Sequence, residues 1–259
     1  MSTLLAAGGS GEFVAPGTGE FDLPPIFAFV TKPMLVVVLG AVLVGAFFYL
    51  AARRPSLVPS KMQFAGEAVY GFVRNGIARD SIGAKEGMRY VPYLVTIFSF
   101  IAVLNIAGIV PLVQFPATAR ISFALVLALL SWVIFNYVGI RKQGFVGYFK
   151  NMMFPPGIPW PVYILLAPLE FLSTVIIRPV TLTLRLTLNM FAGHLVLMLC
   201  ALGGAYLLSQ GGVMAVLSIV PFVFAIVLTF FEGFVQLLQA YVFTLLSALY
   251  IAGAESEEH

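Results

Sequence analysis

Residues 195–230 read LVLMLCALGGAYLLSQGGVMAVLSIVPFVFAIVLTF. The stretch holds no Asp, Glu, Lys, Arg or His, and its main break is Gly211-Gly212. A bilayer core takes about 20 apolar helical residues, so each flank reads as a membrane helix and the glycine pair as the turn between them. The apolar character runs outward from there, back to Trp160 and forward almost to the C-terminus. It divides into two segments, about 162–209 and 213–252. A 40-residue helix is roughly 60 Å long, against a hydrocarbon layer of about 30 Å. Neither segment is one upright helix; each is strongly tilted or broken, with Pro168, Pro179 and Pro221 as candidate kinks.

Three more apolar runs precede this hairpin: about 33–52, closed by Arg53-Arg54; about 91–113; and about 121–140, closed by Arg141-Lys142. The composition agrees with five membrane passes. Of the 259 residues 61% are hydrophobic and 10% charged, and mean hydropathy is +1.02. Charge so sparse does not cover a water-facing surface, which excludes a soluble enzyme, a disordered chain and a nucleic-acid binder. The expected fold is therefore an all-α polytopic membrane protein: five passes in residues 31–259 and an amphipathic helix over 61–80 on the cytoplasmic face. Residues 1–30 form an external N-terminal segment without the basic and apolar regions of a signal peptide.

Ten of the fourteen basic residues fall in the loops after the first and third runs, from Arg53 to Arg89 and from Arg141 to Lys150; Lys32 and Arg120 fall on the other side. The positive-inside bias puts the ten in the cytoplasm, the N-terminus outside and the C-terminus inside. The tail from Glu255 to His259 reads as a solvated acidic end. Cys200 is the only cysteine and reads as a small packing residue.

Ionisable groups inside a span cost about 2.5–3.5 kcal/mol on insertion scales and point to function. Here they are Glu170, Arg178, Arg185, His194 and Glu232, with the amides Asn189, Gln236 and Gln239. Arg178 either snorkels or serves the carbonyls freed by Pro179; Glu170 is either interfacial or functional; Asn105 and Asn136 read as helix–helix hydrogen bonders. Arg185 lies deep in its segment between Leu184 and Leu186 and stays charged at any accessible pH, which suits a fixed cation on an ion path better than a buried structural ion pair. His194 and Glu232 both titrate and read as a proton relay. Residues equally far from Gly211-Gly212 should lie level, which pairs Arg185 with Gln239 and His194 with Glu232. On one helix, Glu232, Gln236 and Gln239 share a stripe, as do Arg185 and Asn189. His194 points about 180° from Arg185 at 100° per residue.

No G-x-x-x-x-G-K-[ST], H-E-x-x-H or G-x-S-x-G pattern occurs, so the chain is expected to carry no nucleotide, metal or cofactor site and no catalytic residue of its own. The stretch from Arg178 through Arg185, Asn189 and Gly193 to His194 (RPVTLTLRLTLNMFAGH), together with Glu232 to Phe243 (EGFVQLLQAYVF), strongly resembles subunit a of the F-type ATP synthases. The resemblance covers nearly the whole chain. It implies a stator subunit that offers two offset proton half-channels to a rotating ring of c subunits, beside subunit b and the other synthase subunits, in a bacterial plasma membrane. By the same resemblance Arg185 is the essential arginine facing the ring, Asn189, His194, Glu232 and Gln239 line or border the half-channels, and Thr181 sits towards the cytoplasmic path. Gln236 and Glu170 join the candidate proton-path residues. Many bacterial members carry Glu at the His194 position and His at the Glu232 position; this chain has the swapped, mitochondrial-like pair, which keeps one acid and one imidazole. Thr187 stands where Phe is common. The alternatives are a standalone proton-coupled transporter, against which the lack of an internal repeat argues, and a structural scaffold that would tolerate Arg185→Ala.

Overall fold

Thr31 precedes the first helix in extended conformation, and Pro33 stands in its first turn, where the missing N–H would have no helical partner anyway. The computed structural model describes residues 31–53, 56–110, 117–154 and 160–255. Segment 1–30, expected outside the membrane, and His259 lie beyond these. Helix α1 (Lys32–Ala52) exposes Leu35, Val38, Leu39, Val42 and Leu43. Nothing polar interrupts that face, as lipid contact requires.

Ser60 starts α2 (Lys61–Val73), its hydroxyl accepting the Gln63 amide at 3.3 Å and so satisfying one orphan donor of the first turn. The helix then widens into a π-helical turn, Arg74–Arg79. Helix α3 (Val91–Ala107) is shorter than the expected 91–113 run. The Gly108 amide folds back to the Asn105 carbonyl at 2.9 Å and that of Ile109 to Ile106 at 3.0 Å. These tightened bonds close the helix just ahead of Pro111, which cannot continue it. A 3₁₀ turn at Ala117–Ala119 leads to α4 (Ile121–Gln143).

Helix α5 (Phe145–Met153) follows at once, after Gly144 at φ +75. Hydropathy alone gives no helix there, because nine residues with Lys150 and Asn151 look like a loop. Its anchor is Tyr148, which packs on Gly139 of α4 and donates to Asn136 Oδ1 at 3.1 Å. Burial pushes the Tyr148 phenol above its ordinary range, and the Arg178 charge draws it partly back.

The first long segment is broken into α6 (Trp160–Leu172), a π-helical turn at Ser173–Ile177 and α7 (Arg178–Ser209). Pro179 explains the break. The Arg178 amide bonds the Ser173 carbonyl, so in this register the Thr174 carbonyl faces residue 179, which has no N–H. The indole of Trp132 in α4 donates to that carbonyl at 2.9 Å instead. Trp132→Phe should leave the carbonyl unmet and lower stability by about 1–3 kcal/mol, read as a fall in the thermal denaturation midpoint of the detergent-solubilised complex; an unchanged midpoint would remove the bond from the account of the kink.

Gly211 and Gly212 make the hairpin turn at φ +69 and +57, values that L side chains rarely adopt. One short helix, α8 (Gly212–Leu217), steps at Ser218 into α9 (Ile219–Glu255), with Pro221 in the first turn of α9. Four helices, α3, α4, α7 and α9, share the core, in which Ile101, Ala124, Ala128, Leu186, Ala240 and Phe243 are buried together. Ala124, Ala128 and Ala240 let the backbones approach closely, as packing in lipid favours. A buried hydroxyl chain ties three of these helices: Tyr93 donates to Ser131 at 3.0 Å, Ser131 meets Ser247 at 2.7 Å, and Ser247 donates to the Phe243 carbonyl at 2.9 Å. Among the described residues four helical stretches are long and apolar enough to cross a membrane, and α3 is a shorter apolar helix beside them.

Glu255 departs from the expected solvated end, being 8% exposed; residues 256–259 of that tail lie outside the described residues. Lys142 Nζ donates to the Glu255 carbonyl at 2.6 Å and Gln143 Nε2 to that of Ala254 at 3.2 Å. Two side chains at the end of α4 thus satisfy the last carbonyls of α9. Arg89 and Tyr90 face the same carboxyl. The basic loops after the first and third apolar runs therefore meet at one end of the bundle, with the end of α9 among them.

Candidate functional site

The α7–α9 hairpin is held in register by two glycine contacts. A Cβ on Gly204 would sit 3.1 Å from the Phe222 ring, and one on Gly193 would sit 2.9 Å from Glu232 Oε1 and 3.0 Å from Cδ. Both pairs lie nearly equidistant from the turn. The backbone of α7 at Gly193 is therefore laid directly on a carboxyl carried by α9.

Glu232, Gln236 and Gln239 are all buried, on the inner face of α9. Gln236 Nε2 donates to Glu232 Oε1 at 3.1 Å. Asn105 of α3, fully buried, donates to the Gln236 backbone carbonyl at 3.2 Å and accepts from Thr118 at 2.9 Å. The result is a polar track: Thr118 at the α3–α4 turn, then Asn105, then Gln236, then Glu232. Along it Glu232 Oε2 and Gln236 Oε1 have no hydrogen-bond partner among the described residues, and the same holds for Gln239 Nε2. Buried polar atoms left open in this way are costly and suit a place where water is admitted. Beside the track lies a cavity of about 230 Å³ lined by Asn189, Gly193, Glu232 and Gln236, with Val196 and Phe231 among its apolar walls.

Of the residues singled out in the sequence, Asn189, Glu232 and Gln236 meet at this cavity. His194 is half-buried one residue beyond Gly193 and does not line it. Arg185 is exposed on the outer face of α7, level with neither Gly193 nor the cavity, and Leu184 and Leu188 beside it are exposed too. Thr181 shares that exposed face one turn earlier, its hydroxyl donating to the Ile177 and Arg178 carbonyls at 2.8 and 3.0 Å. Glu170 is half-buried in α6, on the far side of the π turn. Arg178 stacks its guanidinium over Tyr250 at 5.0 Å and Phe135 at 5.9 Å, a cation–π seat between α4 and α9. Asn136 bonds within α4 and to Tyr148. Gly193 stands in the quoted motif with no role assigned to it, and Thr118 was not singled out in the sequence. The signal for Gly193 was its position, mirroring Glu232 across the glycine turn. Thr118 gave none.

Lipid-facing helices around a buried carboxyl–amide track, with a permanent cation on the outer face, define a polytopic membrane protein of the ion-translocating class. The match to known proteins is specific. The family model of the ATP synthase A chain covers residues 34–252. The ATP synthase subunit a of a Nocardioides species is 51% identical over 231 residues, 89% of this chain and 83% of the relative. That of Pseudarthrobacter chlorophenolicus is 44% identical over 256 residues, 96% of both chains, and that of Rhodococcus erythropolis 45% identical over 228 residues, 87% of this chain and 83% of the relative. The chain belongs to the ATP synthase A chain family.

Proposed function

We propose that the α7–α9 hairpin conducts protons between the outer aqueous phase and a rotor carboxylate, and that Arg185 keeps the two halves of that path apart. The chain is a stator subunit of the membrane sector of a proton-translocating ATP synthase, multi-pass in a bacterial plasma membrane, and its partners are the c-ring and the other synthase subunits. Its own part is transport; the chemistry on ATP belongs to other subunits. The N-terminus lies outside and the C-terminus in the cytoplasm, in line with the gathering of basic loops at the end of the bundle that holds Glu255.

The observation that carries this reading is the contact of Gly193 with Glu232. It leaves a titratable carboxyl beside a cavity, with one oxygen held by Gln236 and the other open. Protons reach Glu232 along the Asn105–Gln236 side, pass through the Glu232 and His194 region and neutralise a ring carboxylate, which crosses lipid only in its neutral form. Asn189 and Gln239 border this route. Once the ring has carried it through the lipid, the proton leaves through a second cleft, on the side of Thr181 and Glu170. The guanidinium of Arg185 attracts the ionised carboxylate and, with five N–H donors and no acceptor, does not itself relay protons.

Glu232→Gln keeps the shape and removes the titrating group. Passive proton conduction by vesicles stripped of the catalytic sector should fall on the order of 100-fold, the lower end of what a positioned proton-transfer group contributes. Unchanged conduction would take Glu232 off the path. Exchange of the pair, His194→Glu with Glu232→His, should conduct better than either single change.

A further inference from the structure

A second cavity, of about 220 Å³, opens at the basic end of the bundle and is lined by Arg74, Asn75, Arg79 and Met88. The π-helical turn makes it. In an α-helix residues five apart point about 140° from each other, but a π turn bonds i to i+5 and so stacks position 79 over position 74. Both guanidiniums thereby line one cavity. Its remaining walls, Ala78, Gly83 and Ala84, are small, and Gly83 takes φ +116. The exposed Arg74 donates its Nε–H to the Met88 sulfur at 3.2 Å. Neither Arg74 nor Arg79 is paired with a carboxylate among the described residues. Asp80 and Glu86 belong to the same segment but do not line the cavity, and from Arg74 to Arg89 four basic residues outnumber two acidic ones. Two like charges held on one cavity repel, and only an anion between them reverses the sign of that interaction.

We propose that this cavity binds the phosphate of an anionic phospholipid. The chemistry is that of a phosphate ester gripped by two guanidiniums and an amide. The setting selects a lipid over free phosphate. Helix α2, which leads into the turn, exposes Met62, Phe64, Tyr70 and Phe72 around its circumference, apolar side chains that suit a helix seated in the membrane interface. Phe72, two residues before Arg74, packs on Phe98 and Tyr241 at centroid distances of 5.6 and 5.8 Å. The guanidiniums thus stand at headgroup depth beside an aromatic surface for the acyl chains, and the bound lipid would pin the α2 end of the bundle to the bilayer.

The test uses the intact complex in phosphatidylcholine vesicles containing phosphatidylglycerol, with a trace of photoactivatable phosphatidylglycerol, and maps cross-links by mass spectrometry. Wild type should label residues 72–89, and the R74Q/R79Q variant should lose that label at least about tenfold, as expected for loss of charged hydrogen bonds. Labelling of α1 should stay constant in both and reports that the variant has folded and inserted. K61Q/K85Q removes the same charge from the same interface outside the cavity and should keep the label. Equal labelling of R74Q/R79Q and wild type, or equal loss in K61Q/K85Q, would overturn a built site. Suppression of the label by added inorganic phosphate would overturn the lipid and assign the cavity to a free anion.

Discussion

Arg185→Ala is expected to abolish ATP-driven proton pumping by the assembled complex and to leave a passive proton leak in its place. Arg185 is exposed on α7 with Leu184 and Leu188 around it, and takes no hydrogen-bond or ion-pair partner among the described residues. A guanidinium set among leucines in the middle of a membrane segment costs about 2.5–3.5 kcal/mol. Its natural complement is a carboxylate presented by a partner surface, which in this family is the rotor ring. In the role proposed for Arg185, removal of the guanidinium would take away both the attraction that halts each ionised rotor carboxylate and the barrier to a proton running straight from one cleft to the other. Pumping would be read as acidification of inverted vesicles on ATP addition, and the leak as proton flux after the catalytic sector is stripped. Arg185→Lys should also be strongly impaired, because a compact ammonium lacks the planar fork of guanidinium donors. Normal pumping by the alanine variant would refute the role and return the residue to a merely structural one.

What the sequence made legible follows from which forces act locally. Gly211-Gly212 is a backbone requirement, and the turn sits there at positive φ. The stripe of Glu232, Gln236 and Gln239 is a matter of helical phase, and all three are buried. Pro179 announced a kink, but not its form: a π turn whose stranded carbonyl is met by Trp132, over forty positions away. Such long-range partners leave no local trace. Thr118 is an ordinary loop hydroxyl until α3 and α4 bring it to Asn105. Glu255 reads as part of an acidic tail until Lys142 and Gln143 fasten the end of α9. Helix α5 escaped notice because it is anchored by a single aromatic, Tyr148 against Gly139, and not by an extended apolar face. The phospholipid cavity depends on a departure from 3.6-residue periodicity, which a reading based on that periodicity does not anticipate.

Gly193→Val should reduce passive proton conduction by about two orders of magnitude while the complex still assembles. At this position even a single methyl would come within 2.9 Å of Glu232 Oε1, 3.0 Å of Cδ and 3.3 Å of Cγ. The carboxyl cannot simply swing aside, because it is buried and its Oε1 is held by Gln236. Alanine would shift it by a few tenths of an ångström. Valine adds two further methyls directed into the 230 Å³ cavity and the carboxyl beside it. Displacement of a proton-transfer group by about 1 Å costs on the order of 100-fold, whereas α7 and α9 remain packed through Gly204 and Phe222. Conduction should therefore fall in the order glycine, alanine, valine, with co-purification of the ring unchanged throughout. The graded series separates a steric effect on the path from a general loss of structure, since the latter would remove the ring together with the flux. Full conduction with valine at 193 would show that protons bypass the Glu232 cavity, whatever the fate of Arg185.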